Sequence, residues 1–87
     1  MSAQSHLKLE LITFPTTAVP PEYACPQLRG YKGTVVVAEN CGFALTEQME
    51  AFVRSEKLGL RVRQNMYLFF SDSYATVFML KFTGSGV

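Results

Sequence analysis

Leu60 to Phe82 reads LRVRQNMYLFFSDSYATVFMLKF, two apolar and aromatic runs joined at Ser71-Asp72-Ser73. Ser and Asp are turn formers, so the stretch reads as one long β-hairpin. Six of the chain's eleven aromatic residues, counted from seven Phe and four Tyr, lie in it: Tyr67, Phe69, Phe70, Tyr74, Phe78 and Phe82. In a strand over 60–70, Leu60, Val62, Met66, Leu68 and Phe70 share one face, and Arg61, Arg63, Asn65, Tyr67 and Phe69 share the other. In a following strand over 74–82, Tyr74, Thr76, Phe78, Leu80 and Phe82 alternate with Ala75, Val77, Met79 and Lys81. A three-residue loop at Ser71 to Ser73 joins the two more apolar sets but sets Arg63 opposite Lys81, whereas a two-residue loop at Asp72-Ser73 avoids that like-charge pair. The first register is favoured. Under both, large apolar side chains including Tyr67 and Phe69 remain on a second sheet face.

Upstream, His6 to Phe14 reads HLKLELITF, with Leu7, Leu9 and Leu11 alternating with polar neighbours, which predicts a strand ending before Pro15. Residues 15–33 hold all four prolines of the chain and predict an ordered loop anchored by Val19, Tyr23, Cys25, Leu28 and Tyr31, with one helical turn after Pro20-Pro21. Thr34 to Glu39, TVVVAE, is β-branched without alternation, which suits a central strand covered on both faces. After the turn residues Asn40-Cys41-Gly42 comes LTEQMEAFVRSEKLG, a helix capped by Thr46 and closed by Gly59. Leu45, Met49, Phe52, Val53 and Leu58 form its apolar stripe, and Glu50 with Arg54 is an i,i+4 pair worth a few tenths of a kcal/mol.

The expected fold is therefore α+β: a two-layer domain in which a four-stranded, mainly antiparallel sheet, in the order β-loop-β-α-β-β, carries one helix on one face. Eighty-seven residues make a single domain, 1–87, with residues 1–5 and 84–87 expected to fray. A core this small has little stability to spare, which makes oligomerisation a reasonable expectation. Net charge is +1, so no global field recruits nucleic acid or an anionic surface. Neither a secretory signal nor an apolar membrane run is legible, and a cytoplasmic protein is expected, with Cys25 and Cys41 as free thiols.

Sites are sparse. His6, the only histidine, stands near one end, and Asp72, the only aspartate, stands in the expected turn. No Gly-x-Ser-x-Gly, His-x-x-x-His or Walker-type sequence occurs, and no metal or cofactor site is legible, so the reading leans away from an enzyme. Arg29-Gly30-Tyr31-Lys32-Gly33 offers two glycines between cations, the ingredients of an anion nest, though a strand rather than a helix follows. The stripe of Arg61, Arg63, Asn65, Tyr67 and Phe69 combines cations with rings, as single-strand nucleic-acid binders do; a protein interface explains it better at so low a net charge. The function expected from the sequence is a small non-enzymatic binding domain that acts as a homodimer and contacts another protein. The alternative is a small-ligand or single-stranded nucleic-acid binder using the second sheet face and the loop from Arg29 to Gly33.

Overall fold

A computed structural model describes residues 9–82. The expected fraying at 1–5 and 84–87, His6, and the part of the first strand before Leu9 lie outside the described residues. Four strands form one antiparallel sheet: β1 Glu10–Pro15, β2 Thr34–Glu39, β3 Gly59–Arg63 and β4 Met66–Phe69, in the spatial order β1-β2-β4-β3. Two helices, α1 Phe43–Ser55 and α2 Asp72–Phe82, complete the α+β domain. The sequence's fold class, four-stranded antiparallel sheet and helix on its face are all present, and a C-terminal helix is added.

β2 occupies the range its composition predicts and pairs on both edges, Glu10↔Glu39 through Pro15↔Thr34 on one side and Thr34↔Phe69 through Val37↔Met66 on the other. Its β-branched run is buried from Thr34 to Ala38 because both sheet faces are covered. β1 is an edge strand, and for that reason Pro15, which lacks a donor, is tolerated as its last residue.

α1 carries the predicted stripe: Met49 and Val53 are buried, Leu45 and Phe52 pack beside them, and Leu58, just past the helix, is buried as well, with Thr46 joining them from inside the helix. Its ends differ from the prediction. Gly42 is the N-cap and Thr46 lies inside the helix, its hydroxyl donating to the Phe43 carbonyl at 2.9 Å. At the other end the Lys57 amide donates to Arg54 O and the Leu58 amide to Val53 O, the paired bonds of a Schellman motif. Lys57 takes the left-handed conformation (φ 56°) that a glycine was expected to supply. Gly59 instead begins β3, where a Cβ would collide with the Leu68 carbonyl oxygen.

The long hairpin is the principal correction. The turn falls at Gln64-Asn65, so both strands of the hairpin fit between Gly59 and Phe69, and Asp72–Phe82 is a helix rather than a strand. Ser71 caps that helix: its Oγ accepts the Tyr74 amide at 3.3 Å, while Asp72 places a carboxylate in the positive first turn and accepts the Thr34 hydroxyl. Ala75, Phe78, Met79 and Phe82, at i, i+3, i+4 and i+7, turn inward.

Two clusters result. On the helix face, Val36, Ala38, Tyr67 and Phe69 of the sheet meet Met49 and Val53 of α1 and Ala75 and Phe78 of α2. On the other face, Val35, Val37, Met66 and Leu68 meet Leu28, with Val19, Tyr23 and Cys25 of the proline-rich loop packed against them. The loop is ordered as three 3-10 turns, Thr16–Ala18, Pro21–Tyr23 and Pro26–Leu28, the second of which is the turn expected after Pro20-Pro21. Tyr31, the remaining expected anchor, is exposed instead.

Candidate functional site

The stripe singled out in the sequence is split by the fold. Tyr67 and Phe69 are wholly buried, ringed by Phe78 at centroid distances of 5.4 and 4.9 Å. The expectation that they lie on an uncovered second face is corrected: α1 and α2 cover them, and the loop covers the opposite face. The Tyr67 hydroxyl donates to Thr46 O at 3.1 Å, and burial, opposed by the charge of Arg61, pushes its pKa up to about 12. Arg61 reaches α1 instead of a ligand, with Nη1 2.6 Å from Glu50 and 3.4 Å from Glu47, and Nε donating to Gln64 O. Desolvation works against its charge, yet the bonds to the two glutamates outweigh it and raise the pKa. The predicted pair of Glu50 with Arg54 is present at 3.9 Å as the weaker partner of that carboxylate. A bulge between Arg61 and Arg63 breaks the alternation, and Arg63 donates from Nη2 to Ala24 O of the loop at 3.0 Å. Asn65 is structural, its Nδ2 donating to Ala38 O at 2.8 Å and its own carbonyl accepting the Ala38 amide. A stacking platform for bases needs rings in the open, and these two have none to offer.

The segment from Arg29 to Gly33 is a surface turn. Gly30 takes a positive φ of 82°, as a nest requires, but the amides of Arg29, Tyr31 and Gly33 already donate to Pro26 O, Leu28 O and Thr16 Oγ1. Gly33 serves packing: a Cβ there would strike the Phe69 carbonyl oxygen. Arg29, Tyr31 and Lys32 stand exposed.

No family model, curated protein or solved structure matches this chain. The site must therefore be read from its own chemistry.

Two surface features emerge that sequence reading missed. Phe70 (46% exposed), Tyr74 (41%), Val77 (45%) and Leu80 (59%) are four of the seven large apolar side chains exposed among the described residues, and they fall within eleven positions. The helical spacing of Tyr74, Val77 and Leu80 was the signal that would have found them, had 72–82 been read with a period of 3.6. The second feature is an open cleft of about 460 Å³ in the proline-rich loop, lined by Thr16, Thr17, Val19, Cys25, Leu28 and Arg29 with Ala24 and Pro26. Its signal was the proline spacing, which sets one short turn after another and leaves gaps between them.

Acid-base chemistry has little to work with. Tyr23 donates to Glu39 at 3.0 Å, which raises the Tyr23 pKa, and burial raises that of Cys41. Both shifts move the groups away from the ionised forms a base or nucleophile would need at neutral pH. Among the described residues no three His, Cys, Asp or Glu side chains gather closely enough to hold a metal ion, and no helix is long and apolar enough to cross a membrane.

Proposed function

We propose that this chain is a small non-enzymatic binding domain that acts as a homodimer and contacts another protein. The observation that carries the reading is the concentration of exposed apolar side chains at Phe70, Tyr74, Val77 and Leu80. Contiguous apolar surface on a small domain marks an association site, because leaving it wet forgoes about 25 cal/mol for each Å² that could be buried. The outward face of α2 thus takes the role that the sequence suggested for Tyr67 and Phe69. Its charge pattern favours an apolar partner over a nucleic acid: between Ser73 and Leu80 no charged residue occurs. A second copy of the chain supplies such a surface with the two-fold symmetry that most small oligomers use. A cytoplasmic setting goes with the reading, supported by two cysteines that are both free.

Sedimentation velocity at micromolar concentration is the test. The expected mass is that of two chains, falling to one chain in Val77→Glu/Leu80→Glu, whose exposed positions allow the monomer to keep its fold. A monomeric wild type overturns the homodimer, and a dimer indifferent to both glutamates overturns the α2 face.

A further inference from the structure

The cleft of the proline-rich loop lies apart from α2, and its chemistry is one-sided. Leu28, Val19 and Cys25, which pack on the second core cluster, supply an apolar floor. Thr16, Thr17 and Arg29 supply the polar rim. No carboxylate lines it: Glu22 of the loop is absent from the lining, and Glu39, at the end of β2, holds the Tyr23 hydroxyl. Neither the Arg29 guanidinium nor the Thr17 hydroxyl has a protein partner among the described residues. At about 460 Å³ the space lies in the range of small-molecule sites, which are commonly apolar with a few polar groups that fix orientation.

A guanidinium presents two parallel N–H donors, the pattern a planar carboxylate accepts, and a threonine hydroxyl adds a third donor. The one guanidinium on the rim matches a single negative charge, so a phosphate dianion would keep half its charge unmatched, and a neutral ligand would leave the cation unused. The floor calls for hydrocarbon. We infer that the cleft binds a small amphipathic monocarboxylate, its carboxylate on Arg29 and Thr17 and a short acyl tail over Val19, Cys25 and Leu28. The association surface on α2 is not involved, so the two readings stand or fall separately.

Cys25 provides the readout, since an acyl tail on the floor shields its thiol, while Cys41, packed beside Met49 on the helix face, serves as the internal reference. The 87-residue chain is treated with iodoacetamide, with octanoate as the probe ligand, and alkylation at each cysteine is followed by peptide mass spectrometry. Octanoate should slow Cys25 about threefold once its concentration is twice the Kd, and leave Cys41 unchanged. Octanamide, equal in length but uncharged, should protect far less. Arg29→Gln, at an exposed position where the melting midpoint should not change, should weaken affinity about tenfold, so that the same octanoate concentration slows Cys25 only about 1.2-fold. The proposal is overturned if octanoate fails to slow Cys25, if octanamide does as well, if Arg29→Gln is protected like the wild type, or if Cys41 slows equally.

Discussion

The two faces of the sheet are closed by different means. On the helix face, α1 and α2 each set down several side chains at i, i+3 and i+4, and Tyr67, Phe69, Phe78 and Phe82 form a continuous aromatic cluster with ring centroids 4.9 to 5.4 Å apart. On the loop face, three 3-10 turns of three residues each provide isolated anchors, such as Tyr23 against Phe14 at 5.4 Å and Leu28 on Val35 and Val37. A 3-10 turn is too short to repeat a side chain on one face, so gaps remain between anchors. The difference teaches where stability and recognition reside. The helix face holds the fold, and the loop face leaves a cleft.

Replacing Phe78 by Ala should have the largest effect of any substitution considered, because a wholly buried ring in contact with three others is lost. About 3–5 kcal/mol is expected, measured by urea unfolding. A loss under about 1 kcal/mol would show that α2 does not close this face.

The same face should fail first in alkali. Tyr67 titrates near 10 in the unfolded chain and near 12 when folded, so its contribution is complete below pH 10 and lost as pH rises from 10 to 12. The sign follows because the unfolded chain releases the proton first. The loss should be on the order of 2–3 kcal/mol by pH 12, and Tyr67→Phe should remove that part of the pH dependence. Tyr23 also titrates high, so the readout is the difference between the two proteins' stability curves.

Leu28→Ala should cost about 2 kcal/mol, the low end for a buried leucine, since the loop can settle into the space. Hydrogen exchange should rise in residues 16–31 and stay unchanged in β4 and α1. Loosening of both faces together would break the distinction between them.

Most of the domain could be read along the chain because burial there follows a single period. TVVVAE can only be a strand wet on neither side, and Leu45, Met49, Phe52 and Val53 fit a helix and nothing else. Residues 72–82 fit two periods at once. Tyr74, Phe78, Leu80 and Phe82 fall on one face of a strand, while Ala75, Phe78, Met79 and Phe82 fall on one face of a helix. Ser71-Asp72-Ser73 is likewise both turn chemistry and a helix cap, and reading it as a turn carried the hairpin too far and left Gln64-Asn65 unused. The stripe of Arg61, Arg63, Tyr67 and Phe69 failed for the same reason, since the turn and the bulge divide it.

The sequence by itself determined the α+β class, the four-stranded antiparallel sheet, the central place of β2, the apolar face of α1 and an ordered loop in 15–33. Only the tertiary structure decided that 72–82 coils. A four-residue β4 leaves Tyr67 and Phe69 beside Val36 and Ala38 on a face that α1 covers incompletely. Asp72–Phe82 as a helix lays Ala75, Phe78 and Phe82 on that gap, whereas as a strand it would add one more apolar edge with nothing to cover it. Local pattern could not choose, because the choice lay in apolar area contributed by Val36 and Ala38 of β2 and by Met49 and Val53 of α1 as well as by neighbouring Tyr67 and Phe69.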